Sequence, residues 1–295
     1  MSLSTTVLLG VIAGATILLG LPVGRLQKPA PTLRVLLNSV AIGVLLFLVW
    51  DVLSAAWEPV DLAVSALADD ASQLGPALGY GSLMFLGLAV GLLSLVWYER
   101  WMARHVAAPL ASGRARAHGP GATTVGELSP ARGLQSWSAA RRLSLLIAVG
   151  IGLHNFAEGL AIGQSAASGE IGLALMLVIG FGLHNATEGF GIVAPLAGDV
   201  DADGVAQRPS WGFLLAMGAI GGVPTFVGTV LGHGFTSEPV SVVFLSLAAG
   251  SIIYVITQLV TVAARARRSD LLAYGILLGL VAGFLTDAIV TTAGV

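Results

Sequence analysis

The stretch His154-Asn155-Phe156-Ala157-Glu158-Gly159 returns thirty residues on as His184-Asn185-Ala186-Thr187-Glu188-Gly189, each copy inside an uninterrupted apolar run. Ionisable side chains in such a run are costly, so they mark a functional site and have each other as natural partners. Histidine and glutamate are also an ordinary ligand set for divalent transition metals. The two copies therefore predict consecutive membrane helices with a metal site between them.

Within each copy His and Glu are four residues apart, one helical turn, so both point to one face about 6 Å apart at the backbone. Asn follows His by one residue and is rotated by about 100°. Each helix thus offers His plus Glu to one position and Asn to an adjacent one, with Glu between them. His154 falls about eleven residues into its run and His184 about thirteen, near the middle of a span of about 20 residues. The connection at Ser168-Gly169-Glu170 is short enough only for antiparallel neighbours. Four ligands then converge at one depth: His154, Glu158, His184 and Glu188. A single buried His or Glu is as readily a satisfied structural group, but duplication in register and at matching depth argues against that reading. Gln164 and Ser165, further along the first copy's run, line an access path or cap the helix.

Composition extends the membrane reading to the whole chain. Of 295 residues, 56% are hydrophobic and only 10% charged, with a mean hydropathy of +0.89, whereas soluble domains carry about 25% charged residues. There is no cysteine, which excludes disulfides and thiolate ligands. Eight apolar runs are long enough to span, near 3–23, 33–55, 76–98, 143–166, 171–196, 211–232, 239–263 and 271–293. The first lacks a basic flank and a cleavage site, so it reads as a retained helix. The 39 glycines lie mostly inside the runs and suit either close internal packing or contacts in a homodimer.

Basic residues set the orientation. Placing the N-terminus outside puts Arg25, Lys28 and Arg34 in the first cytoplasmic connection and seven arginines between the third and fourth spans. Arg208 follows in the third, and Arg265, Arg267 and Arg268 in the fourth, which accounts for all 14 Lys and Arg. The opposite connections hold only acids: Glu58, Asp61, Asp69, Asp70, Glu170 and Glu238. The expectation is an all-α polytopic protein of the cell (plasma) membrane with both termini outside. It forms a single domain over 1–295, in which residues 99–142, polar and containing the isolated His105 and His118, form a flexible cytoplasmic loop. Asp199-Val200-Asp201-Ala202-Asp203-Gly204 begins like a calcium loop but lacks the closing glutamate, and reads as a solvated acidic turn.

The chain resembles the ZIP (Zrt/Irt-like) family of divalent-metal transporters, most closely its prokaryotic GufA-type members. The resemblance rests on His-Asn-x-x-Glu-Gly-Leu-Ala-Ile-Gly at 154–163 and His-Asn-x-x-Glu-Gly at 184–189 with Ala194-Pro195-Leu196 following. Further matches are Ala249-Gly250-Ser251-Ile252-Ile253-Tyr254-Val255 and Leu277-Leu278-Gly279-Leu280-Val281-Ala282-Gly283-Phe284 with Asp287. It covers all eight spans. It implies a 3+2+3 arrangement with an inverted repeat relating spans 1–3 to 6–8, and movement of metal into the cytoplasm through a binuclear centre. It assigns one position to His154, Glu158, His184 and Glu188, and a second to Asn155 and Asn185 with the shared glutamates. Three departures stand out: Ala157 and Thr187 replace the usual proline before Glu, Val223-Pro224 replaces Glu-Pro, and Gln258 stands where a carboxylate is usual. The second position is expected to be depleted.

The expected function is transport of a divalent cation, zinc first, with iron, manganese, cobalt or cadmium also compatible with imidazole and carboxylate ligands. The metal is cargo, and no organic cofactor is expected. The alternative is a transport-impaired relative that binds metal as a sensor or assembly partner, suggested by the missing carboxylates. No hydrolase signature supports an enzyme. Nucleic acid is not expected as a partner, because the loop arginines serve topology.

Overall fold

The computed structural model describes residues 1–25, 31–102, 137–193, 195–196, 199, 207–265 and 267–292. Among them, eight helices are long and apolar enough to cross a membrane, so the chain is a multi-pass membrane protein. They are α1 (Leu3–Ala15), which spans only together with the 3-10 turns that carry it on to Arg25, α2 (Pro31–Ala66), α3 (Leu74–Met102), α4 (Ala139–Ser168), α5 (Ile171–Val193), α6 (Trp211–Gly232), α7 (Glu238–Arg265) and α8 (Ser269–Thr292). Spanning segments must satisfy every backbone group internally, which a helix does.

Three boundaries differ from the sequence reading. α1 gives way at Thr16 to 3-10 turns, Thr16–Leu19 and Leu21–Arg25. α2 continues through Pro59 to Ala66, a 36-residue helix, so Glu58 and Asp61 belong to an exposed helical extension rather than to a loop. At 1.5 Å per residue such a helix is far longer than the hydrocarbon core is thick. Hydropathy marks where the hydrocarbon ends, and the helix does not have to end there. The loop expected over 99–142 is shortened at both ends, because α3 runs to Met102 and α4 begins at Ala139. His105 and His118 lie outside the described residues.

Sharp turns fix the neighbours of the site. α4 stops at Gly169, whose φ of 93° is left-handed and natural only to glycine. α5 begins two residues later, so α4 and α5 form a tight antiparallel hairpin.

Close approach of backbones then sets the packing. A Cβ on Gly159 or Gly163 of α4 would strike the Thr225 or Thr229 carbonyl of α6, and one on Gly228 or Gly232 would strike the Phe156 or Leu160 carbonyl of α4. The register 159/225 and 163/229 makes α4 and α6 parallel. α2 and α8 are also parallel, with Ser39 against Gly275, Gly43 against Gly279 and Phe47 against Gly283. α1 crosses α6 antiparallel, Gly14 against Gly222. α1, α4, α5 and α6 pack on one another, as do α2, α3, α7 and α8; α4 meets α7 and α2 meets α5 between the two groups.

Two polar expectations change. Asp199 does not begin a solvated turn: it is buried at 7% exposure, 3.5 Å from Arg141 Nε in the first turn of α4, and its carbonyl accepts the Gln207 N–H. Asp201 and Asp203 lie outside the described residues. Gln164 ties helices together, donating to the Ser168 hydroxyl at 2.8 Å and accepting from Ser241 of α7 at 3.0 Å. Gln164 therefore cross-links side chains rather than capping the helix, and the Ser165 hydroxyl is fully buried without a partner.

Candidate metal centre

All six site residues predicted from the repeated motif are buried, none more than 5% exposed. The helical turn within each motif places His and Glu on the face that α4 and α5 share. The rings of His154 and His184 have centroids 5.9 Å apart, so the two copies meet at one depth. His154 Nε2 is 2.6 Å from Glu188 Oε1, and His154 Nδ1 lies 3.2 Å from the Gly150 carbonyl. The second imidazole faces both carboxylates: His184 Nε2 is 3.4 Å from Glu158 Oε1 and 3.5 Å from Glu188 Oε1.

One ligand atom from each of His154, Glu158 and His184 lies within 4.8 Å of the others. That spacing is somewhat wider than the edge of a tetrahedron about zinc with ligand distances of about 2.0–2.2 Å, so small rotations of these side chains bring them onto an ion. Glu188 is not one of that set; it is held by His154 at 2.6 Å.

The satisfaction of polar atoms is uneven in a way that favours a cation. Both oxygens of Glu158, Oε2 of Glu188, and both ring nitrogens of His184 have no hydrogen-bond partner. Buried polar atoms are otherwise paired in folded proteins, and unpaired buried carboxylate oxygens are costly. A divalent ion would supply what is missing, accepting lone pairs from imidazole and offsetting carboxylate charge.

Asn155 and Asn185 are placed as a related pair. Asn155 Nδ2 donates to the Gly221 carbonyl of α6 at 2.9 Å, and Asn185 Nδ2 to the Ala13 carbonyl of α1 at 3.0 Å. In each case Oδ1 is left without a partner, so each amide is anchored by its nitrogen and presents an oxygen. The positions the resemblance marked as substituted do not join them. Val223 is 51% exposed, and Gln258 donates to Glu99 of α3 at 3.1 Å.

Sequence reading gave no reason to single out Thr225, which is fully buried on α6 with its hydroxyl unpartnered, as the Ser165 hydroxyl is on α4. Nothing in its neighbourhood, Val223-Pro224-Thr225-Phe226, distinguishes it from an ordinary helical threonine. Comparison with known proteins adds no constraint on identity: no family model matches the chain, and no curated protein matches it in sequence.

Proposed function

We propose that this protein is a divalent-metal transporter of the ZIP type, that zinc is its first cargo, and that the ion passes through the His154/Glu158/His184/Glu188 cluster. The observation that carries the reading is the burial of two imidazoles and two carboxylates from α4 and α5 inside a membrane-spanning bundle, with carboxylate oxygens left unpaired. Structural polar groups at such depth are paired out, whereas a cargo site must keep capacity in reserve.

The helix pairings support an inverted repeat of 3+2+3 type. Exchanging spans 1–3 with 6–8, and 4 with 5, turns the α2–α8 contact into α7–α3, α4–α6 into α5–α1, and α4–α7 into α5–α2, and all of these contacts occur. The asparagine anchors on Gly221 and Ala13 obey the same exchange. Ligand sites between such repeats lie near the midplane, and movement of one helix group against the other exposes them alternately. Here the groups would be α1, α4, α5, α6 and α2, α3, α7, α8. The distribution of Lys and Arg favours an orientation with both termini outside, and the resemblance to the ZIP family implies movement of metal towards the cytoplasm.

In the transport step the chain's own groups do three things. Glu188 leaves His154 Nε2, which frees one imidazole lone pair and one carboxylate for the ion. Glu158 supplies an oxygen that no hydrogen bond has to release. Imidazoles bind as neutral ligands, so protons held in the pair leave as metal arrives.

The test is zinc uptake into liposomes by the purified protein beside a Glu158→Ala, Glu188→Ala double variant. Uptake by the wild type that disappears in the variant is the expected result. Zinc binding without flux in the wild type would favour the sensor or assembly reading instead.

A further inference from the structure

Two side-chain hydrogen bonds tie α4 to helices of the other group. Near the Ser168 end, Ser241 of α7 donates to Gln164 Oε1 at 3.0 Å, and Gln164 Nε2 donates in turn to the Ser168 hydroxyl, which holds the amide in place. Near the opposite end, the Tyr98 hydroxyl of α3 donates to the Leu146 carbonyl at 3.3 Å. Other ties stay inside a group: Ser144 to Ile192 and Asn155 to Gly221 in one, Asn38 to Leu259 and Tyr254 to Glu99 in the other.

The two ties bracket the His/Glu cluster. Leu146 stands eight residues before His154 and Gln164 ten after it, about 12 Å and about 15 Å along the helix. The eighteen residues between them make about five full turns, so both lie on one line of the α4 surface. On the way along it the Tyr98 ring lies over Gly150, 3.5 Å from where a Cβ would stand. Neither tie uses a member of the cluster. Both are made of neutral groups, a hydroxyl with an amide oxygen and a hydroxyl with a backbone carbonyl. Bonds of that kind between membrane helices contribute modestly: enough to bias a closed arrangement, and little enough to break in every cycle.

We propose that Gln164–Ser241 and Tyr98–Leu146 are two latches between the helix groups, the first closing the outer end of the route to the His/Glu cluster and the second its cytoplasmic end. The inference rests on the proposed movement of one group against the other and on the orientation favoured by Lys and Arg. With both latches made, the cluster is shut off from either side, and no member of it is more than 5% exposed. Opening outwards breaks Gln164–Ser241 while Tyr98–Leu146 holds the cytoplasmic end. Opening inwards does the reverse. Loss of one latch therefore raises the population open at that end only.

The experiment measures zinc uptake from each face, using intact cells that express the full chain for the outer face and inverted membrane vesicles for the cytoplasmic one. Ser241→Ala removes the outer latch and is expected to lower the half-saturating zinc concentration on the order of threefold from outside, leaving the cytoplasmic value unchanged. Tyr98→Phe is expected to do the reverse. The chain has no cysteine, so a Gln164→Cys, Ser241→Cys variant can be bridged with a short bifunctional thiosulfonate; uptake should stop and return on reduction. The same reagent on Glu99→Cys, Tyr254→Cys, a pair inside one group, should leave uptake intact. Equal shifts on both faces, no shift in either variant, or uptake that survives the bridge between 164 and 241 overturns the latches and leaves the transporter reading standing. A wild type that moves no zinc overturns both.

Discussion

Replacing Gly159 by alanine tests the contact that holds the hairpin carrying the His/Glu cluster in place. The new methyl would land on the Thr225 carbonyl oxygen and lie 2.9 Å from the Thr229 nitrogen and 3.0 Å from the Thr225 carbonyl carbon. All three are backbone atoms of α6, so no side-chain rotation relieves the clash. Ordinary contact is about 3.5 Å or more, so α4 and α6 must part by roughly 1 Å, and gaps of that size forfeit a quarter to a half of each dispersion contact along the seam. Forcing an extra methyl into a packed interior costs about 1–3 kcal/mol. Against this runs the gain of about 1 kcal/mol from replacing helical glycine by alanine. Gly79 isolates that second effect, because a Cβ there meets nothing within 4 Å. The difference between Gly159→Ala and Gly79→Ala, from reversible unfolding of the purified protein in detergent, is therefore expected to be about 1–3 kcal/mol against Gly159→Ala. Zinc affinity should fall with it, since α6 also carries the carbonyl that anchors Asn155. Equal stabilities for the two variants would refute the close α4–α6 contact and the positioning argument built on it.

Two further predictions follow from the site and its orientation. His154→Ala leaves Glu188 buried without the partner at 2.6 Å, which is expected to cost about 3–5 kcal/mol; the double variant with Glu188→Gln should recover much of this, and strict additivity in that mutant cycle would refute the pair. The chain has no native cysteine, so Ser237→Cys between α6 and α7 should react with an impermeant maleimide on intact cells, and Ser269→Cys at the start of α8 only after permeabilisation. The reverse pattern would invert the proposed direction of transport.

The repeated motif alone determined most of the candidate site. Four-residue spacing fixes which side chains share a helical face, and a connection as short as Ser168-Gly169-Glu170 makes α4 and α5 neighbours, so His154, Glu158, His184 and Glu188 had to meet. Apolar run length determined the eight helices, because only a helix satisfies its own backbone in hydrocarbon. Helix ends were less legible: α2 passes Pro59 and carries Glu58 and Asp61 beyond the hydrocarbon, where hydropathy gives no signal. The tertiary structure decided how the polar atoms pair. That Asn155 takes the Gly221 carbonyl and thereby strips Thr225 of its usual acceptor depends on α4 and α6 approaching backbone to backbone. No local pattern encodes that approach, since the glycines permitting it resemble those that face open space, such as Gly79. Asp199 teaches the same lesson at the end of the bundle, where an aspartate in an acidic loop is buried because Arg141 of another segment stands beside it. Covalent spacing dictates which groups share a face, but which atom is left without a partner depends on residues distant in the chain.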